Sequence, residues 1–126
     1  MFLVDDSRAH YDSIPFEGRQ RTYLLHIPPG YSEAEPLSLI IAMHGGLGNA
    51  YNLQNQSLLS EKADTENFIV VYPEGTRGGA LDVRSWNGGN CCGPSVTGNI
   101  NDVGFIDTLL DLLIESYAID TARIYA

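Results

Sequence analysis

Residues 39–48 read LIIAMHGGLG, and this stretch decides the fold. Five apolar side chains, Leu39, Ile40, Ile41, Ala42 and Met43, run without polar interruption into His44, Gly45 and Gly46. A strand with one wet face alternates apolar and polar residues. An unbroken apolar run instead predicts a strand covered on both faces, as in a parallel sheet flanked by helices. The glycines that follow let the chain turn sharply and bring bare backbone N–H groups close to a bound group.

Upstream of this stretch, residues 13–27 predict two strands joined by a turn at Glu17 and Gly18, a hairpin whose apolar load lies on Tyr23, Leu24, Leu25 and Ile27. Pro28, Pro29 and Gly30 stop the ladder, and residues 31–36 predict a polar surface loop before the buried strand begins near Leu37. Downstream, residues 49–56 are amide-rich and too poor in apolar side chains to predict a core element. Residues 58–66 suit a short helix, with Ser57 or Ser60 to cap its start and Asn67 to take the left-handed position at its end. Phe68, Ile69, Val70, Val71 and Tyr72 form a second continuous apolar run and predict a second buried strand, closed by Pro73, Glu74 and Gly75.

Residues 76–101 are glycine-rich and sustain no period of 2 or 3.6, which predicts a long loop pinned by Trp86, with Asn87 and Asn90 as turn residues. A structureless loop of that length in a compact domain is more often functional than not. Asn101 or Asp102 then caps a helix whose apolar face is Ile106, Leu109, Leu110, Leu113 and Tyr117. Asp107, Asp111 and Glu115 fall four apart on its other side without a basic partner, which reads as a solvated face and not a metal site. Residues 120–122 turn the chain into Arg123, Ile124, Tyr125 and Ala126, the start of another strand.

A chain of 126 residues and 13.8 kDa, 44% hydrophobic, is one globular domain or part of one. No apolar stretch approaches the roughly 20 residues that a bilayer demands, so a membrane span is not expected. Sixteen acidic against seven basic residues give a net charge of -9, which repels phosphate backbones and makes nucleic acid a poor partner. The amino-terminal MFLVDDSRAH lacks the basic region, apolar segment and cleavage site of a secretory signal. Cys91 and Cys92 are adjacent and no CxxC or Cys/His metal spacing occurs, which leaves free thiols, a vicinal disulfide or outside partners open.

The alternation strand, glycine loop, helix, strand, loop, helix, strand is that of an α/β fold with a mostly parallel sheet. The segments GRQRTYLLHIPPGY, PLSLIIAMHGGLGNA, FIVVYPEG, SWNGGNCCG, NDVGFIDTLLDLL and YAIDTARIYA occur here in that order. From about Gly18 to Ala126 the chain thereby resembles the amino-terminal half of the polyhydroxybutyrate depolymerase and feruloyl esterase (carbohydrate esterase 1-like) type of α/β-hydrolase. What the resemblance implies is a cofactor-free serine carboxylesterase acting on a polyester or on a feruloyl or acetyl xylan ester, with an extracellular or periplasmic location. In that family the strand matching ARIYA leads into a Gly-x-Ser-x-Gly elbow carrying the nucleophile, with the Asp and His further on. No such elbow occurs in this sequence: Gly93, Pro94 and Ser95 are followed by Val96 and Thr97. The expectation is therefore a single partial domain over residues 1–126, truncated before its nucleophile and inactive alone.

Of the parts that ester hydrolysis needs, the resemblance implies only the oxyanion hole, with the backbone N–H of Gly46 or Leu47 as donor. His44 and Gly45 are expected to support that loop, since a histidine directly at a strand end more often fixes the loop than acts as a base. Trp86 and Asn87, with Cys91 and Cys92, are candidates to line the acyl or alcohol side of the cleft, because ligands bind at the carboxyl ends of such strands. Packing alone accounts equally well for Trp86. Ser57, Ser60, Ser85 and Ser95 read as caps or turn residues, His26 as a strand residue, and Asp102 as a residue that could pair with a backbone or basic group near the site, though helix capping suffices to explain it. Two other functions stand beside this one, a non-catalytic interaction module and a part of a peptidase of the prolyl oligopeptidase kind. The SWNGGNCCG and NDVGF segments fit esterases better than the latter.

Overall fold

The computed structural model describes residues 9–79, 82–88 and 94–126; Asn90, Cys91 and Cys92, to which roles were assigned above, lie outside them. The elements are β1 (Ala9–Phe16), β2 (Arg19–His26), β3 (Leu37–Ile41), α1 (Ala50–Ser57), α2 (Leu59–Glu66), β4 (Ile69–Pro73), β5 (Thr76–Gly78), β6 (Val83–Ser85), α3 (Pro94–Thr97), α4 (Asp102–Ser116) and β7 (Ile119–Tyr125). A five-stranded sheet runs in the order β1-β2-β4-β3-β7, and β5 and β6 form a separate hairpin. Strands β4, β3 and β7 are parallel, whereas β1 and β2 are antiparallel to their neighbours.

Glu17 and Gly18 both adopt positive φ, 47° and 78°, the mirror-image turn whose twist matches a two-residue hairpin. The hairpin then hands β2 to β4, with Leu24 opposite Tyr72 and Leu25 opposite Val71. Side chains of β3 and β4 alternate between two covered faces. Leu39, Ile41, Ile69 and Val71 meet Phe105, Leu109 and Leu113 of α4, while Val70 and Tyr72 meet Ala50 of α1 and Ala63 of α2. This is why both runs are apolar without alternation: each fully buried aliphatic side chain contributes about 1.5–3 kcal/mol, and neither face of β4 is available to water.

Two local expectations are corrected and two alternatives are decided. Residues 49–56, read as unfit for the core, supply the cap and all but the last residue of helix α1, with Asn49 Oδ1 accepting from the Asn52 N–H at 2.8 Å. The helix fits because it presents Ala50 and an amide, Gln54, whose Oε1 accepts from Ser60 Oγ at 2.8 Å. Ser60 is accordingly no cap: it is fully buried and also bonds Tyr72 Oη at 2.7 Å, while Ser57 Oγ accepts from the Leu59 N–H. Residues 76–101 are no continuous loop, since the hairpin β5–β6 and the short α3 lie within them. Asn101, not Asp102, caps α4 by accepting from the Gly104 N–H at 3.0 Å, and the most buried apolar side chains of α4 are Phe105, Leu109 and Leu113, with Ile106, Leu110 and Tyr117 only partly buried. Asn67 does take the left-handed position after α2, at φ 60°.

Candidate active site

The carboxyl ends of β3 and β4 point the same way, and the segments leaving them, together with the end of β6 and the start of α4, converge there. His44 leaves β3 and turns inward, 4% exposed. Its Nε2 accepts from the Gly75 N–H at 3.0 Å, so the ring proton sits on Nδ1, which donates to the Gly45 carbonyl at 2.7 Å. Both ring nitrogens are therefore spent on backbone, which leaves no lone pair to take a proton from a substrate. The Trp86 indole lies over the imidazole, ring centres 5.1 Å apart, and its Nε1 donates to the His44 carbonyl at 2.8 Å. Gly75 must be glycine for this to close: a Cβ there would stand 2.2 Å from the Ser85 carbonyl oxygen.

Residues 45–48 make a tight turn in which the Gly48 N–H donates to the Gly45 carbonyl at 3.1 Å and Leu47 occupies the left-handed region at φ 69°. The Leu47 N–H donates to the Arg84 carbonyl at 3.1 Å. Leu47 is thus corrected as an oxyanion donor, because the hairpin β5–β6 has already claimed its hydrogen. The Gly46 N–H has no hydrogen-bond partner among the described residues, and Gly46 is exposed.

Two buried carboxylates brace this end of the sheet. Glu74, 2% exposed, accepts from Tyr11 Oη, from Thr22 Oγ1 at 2.8 Å and from the Ala50 N–H at 2.9 Å, and lies 3.3 Å from the Arg84 guanidinium. Burial pushes its carboxyl up, but these donors and the Arg84 charge outweigh burial and hold it below the usual carboxylate range. Asp102 receives Arg21 Nη2 at 2.7 Å on one oxygen and the Asn87 N–H at 2.6 Å on the other, while the Arg21 guanidinium lies 4.0 Å over the Phe105 ring. Burial lowers the Arg21 value and the Asp102 contact works against it. Glu74 has no sequence-predicted role beyond closing its strand, whereas the pairing with a backbone or basic group that was one option for Asp102 is found, with the Asn87 N–H and Arg21. Their signal in the sequence was faint: an acid directly after a buried strand, and an acid at the start of a helix that already had an Asn cap.

An apolar cavity of about 260 Å³ opens beside the loop, lined by Met43, Trp86, Val103 and Ile106, with Asn87, Asp102 and Asp107 at its polar side. Met43 and Val103 are 47% and 76% exposed, high for such side chains, because they form its walls. Trp86 and Asn87 thus reach the same cavity, and the sequence reading did not include Met43, Val103 or Ile106. The Asn87 side chain also donates to the Ile100 carbonyl at 2.9 Å. Ser85 and Ser95 are withdrawn into a buried hydroxyl cluster with Thr76, at 2.8 and 2.9 Å, and among the described residues no serine hydroxyl bonds a histidine. Among the described residues no three His, Cys, Asp or Glu side chains stand close enough to hold a metal ion, and no helix is long and apolar enough to cross a membrane.

No protein-family model matches the chain. Feruloyl esterase C of Emericella nidulans is 30% identical over 111 residues, which cover 84% of this chain and 36% of that enzyme. Feruloyl esterase B of Piromyces equi is 26% identical over 106 residues, covering 84% and 18%, and the bifunctional acetylxylan esterase/xylanase XynS20E of Neocallimastix patriciarum is 26% identical over 109 residues, covering 86% and 14%. The chain spans about a third of the length of the first of these relatives and less of the other two. Among solved structures, native pOPH superposes with a TM-score of 0.64 at 16% identity over 92% of this chain and 40% of that one. The chain is related to esterases, and its architecture is a partial α/β-hydrolase fold.

Proposed function

We propose that this chain supplies the oxyanion side and part of the substrate cleft of a serine carboxylesterase. The observation that carries the reading is the unspent N–H of Gly46 on a loop braced from behind by His44, Gly75 and Trp86, next to an apolar cavity at the carboxyl ends of parallel strands. When a serine attacks an ester carbonyl, the carbonyl oxygen gains charge, and a backbone N–H already fixed in place stabilises that charge without reorganising. One such donor contributes on the order of 3 kcal/mol to the transition state. The nucleophile, the acid and the catalytic histidine belong, in this reading, to a Gly-x-Ser-x-Gly elbow and later segments that these 126 residues do not include. The apolar walls given by Met43, Trp86, Val103 and Ile106 suit an aromatic or aliphatic acyl group, as in a feruloyl ester of the plant cell wall or a polyester. An extracellular or periplasmic location follows from such a substrate.

The test joins the chain to the part of Emericella feruloyl esterase C that it does not match, and follows p-nitrophenyl acetate and methyl ferulate hydrolysis. The 126 residues alone give no turnover above blank, and the joined protein does. Gly46→Pro, which deletes the N–H, lowers kcat by about 10²–10³, while Leu47→Gly, which keeps its own, leaves kcat within about twofold. Turnover by the chain alone, or a Gly46→Pro variant at full rate, would sink the reading.

A further inference from the structure

A second cavity, of about 240 Å³, lies between the hairpin β5–β6 and the start of β2, away from the apolar cleft. Its walls are Arg19, Gln20, Arg21, Thr22, Gly75, Thr76, Arg77 and Arg84. Four of the seven basic residues of a chain with net charge -9 thus face one small space, and no carboxylate among the described residues lines it. Chance distribution on an acidic surface would put carboxylates into such a wall.

The arrangement also costs stability. Arg77 and Arg84 stand directly opposite each other in the β5–β6 ladder, a like-charge cross-strand pair, which destabilises a hairpin. Arg19 and Arg84 both stand near enough to Arg21 to oppose its charge. The compensation in the protein is partial. Arg84 reaches Glu74 and Arg21 reaches Asp102 at 3.3 and 2.7 Å, but Arg77 has only a 3.6 Å exposed contact to Asp82, and Arg19 has no carboxylate partner among the described residues. The Arg84 Nη1 also donates to the Gly75 carbonyl at 2.9 Å, which leaves only its buried Nε without a hydrogen-bond partner. Planar guanidinium forks are the side chains best shaped for carboxylate and phosphate oxygens, and the Gln20 amide adds a neutral donor.

We propose that this cavity binds a small multivalent oxyanion, whose carboxylate or phosphate oxygens take up the forks of Arg19 and Arg77 and offset the neighbouring charge of Arg84, which relieves their mutual repulsion. The proposal does not depend on ester hydrolysis, so it stands or falls separately from the esterase reading. Because the Arg84 carbonyl holds the Leu47 N–H, an occupant would also stiffen the loop that carries Gly46.

Isothermal titration calorimetry and thermal melting on the 126-residue chain test it, with inorganic phosphate and citrate as separate ligands and sodium chloride at matched ionic strength as the control. Saturable binding of one equivalent, with Kd below about 1 mM for one of the two, is expected, and none with chloride. Phosphate alone saturating identifies a phosphate site; citrate alone identifies a carboxylate site. Arg19→Ala and Arg77→Ala each weaken binding about tenfold, whereas Arg123→Ala, outside the cavity, leaves it unchanged. Arg77→Ala carries a second signature that a structural role would not produce. Without anion its melting temperature equals or exceeds that of the parent, and on adding the anion the parent gains while the variant does not. Heats that fail to saturate, or binding lost equally in Arg123→Ala, would overturn the proposal.

Discussion

Val71 and Glu74 lie three residues apart on one stretch of chain and are almost equally buried, yet opposite physics holds them there. Val71 sits among aliphatic neighbours from β2, β3 and α4, any one of which can shift to share the contact. Glu74 sits among four specific donors, Tyr11, Thr22, the Ala50 N–H and Arg84, none of which has a substitute. The same contrast separates the whole sheet core from the polar layer at its carboxyl ends. Apolar burial is non-directional and redundant, so a core side chain that is cut back leaves a cavity but no stranded charge. A buried ion or amide that loses its partner keeps its desolvation cost with nothing to offset it. The core is therefore tolerant and the candidate site brittle, and the two should fail in distinguishable ways.

The sharpest separation is expected from Asp102→Ala. It leaves the 3%-exposed Arg21 guanidinium without its carboxylate, a loss of about 3–5 kcal/mol measured by urea unfolding. Leu39→Ala in the middle of the sheet costs about 2–5 kcal/mol by cavity formation, so size alone will not tell the mechanisms apart. A second substitution will. Adding Arg21→Met to Asp102→Leu removes both charges and recovers most of the stability, whereas no single partner change rescues Leu39→Ala. If the double variant is no more stable than Asp102→Ala, the polar layer is not a set of paired charges and the contrast collapses.

Acidity separates the same two regions at a smaller scale. The Glu74 carboxyl is held below its ordinary value in the folded chain, so its contribution is present at pH above the unfolded glutamate value of about 4.3 and is lost as pH falls through the lower folded value. Glu74→Gln should melt about 5 °C below the parent at pH 7, and the gap should narrow on titration toward about pH 3. The Leu39→Ala gap should stay constant over the same range. A Glu74→Gln gap that does not change with pH would mean that its hydrogen bonds matter and its charge does not.

The core was legible in the sequence because its cause is local. Residues 39–43 and 68–72 are unbroken apolar runs, and a strand buried on both faces has few other ways to look. Glu17 and Gly18 announced their turn because the residue after Glu17 must tolerate a positive φ. The glycine loop was legible as the abrupt end of a buried strand, although the residue that takes the positive φ there is Leu47 and not a glycine. What stayed hidden depends on partners far apart in the chain. Arg21 finds Asp102 across 81 residues and Trp86 finds His44 across 42, and no window of sequence contains both ends of either contact. Helix α1 was missed because a buried Gln54 is acceptable only once Ser60 is placed against it. The loss of Leu47 as a donor is of this kind as well: nothing near residue 47 says that the Arg84 carbonyl will arrive beside it.

The smallest expected effect concerns that same leucine and tests whether the loop was built for stability at all. Leu47 is 72% exposed and stands at φ 69°, a region that a branched side chain occupies at a cost of about 1 kcal/mol, and it makes no compensating burial. Leu47→Gly removes the strain but adds backbone freedom to the unfolded chain, so the net gain should be less than about 1 kcal/mol, read as a rise of a few degrees in melting temperature. If the loop were an ordinary turn, glycine would be the better residue here, as it is at Gly18. A leucine at a strained, exposed position beside Gly46 is placed to touch a bulky group of the ester proposed as substrate. Leu47→Gly should then be more stable in the chain itself and weaker in KM for a bulky ester in the joined enzyme, with kcat little changed. A variant that gains stability and loses nothing toward such a substrate would show that the strain is incidental and that the brittle layer ends at Arg84.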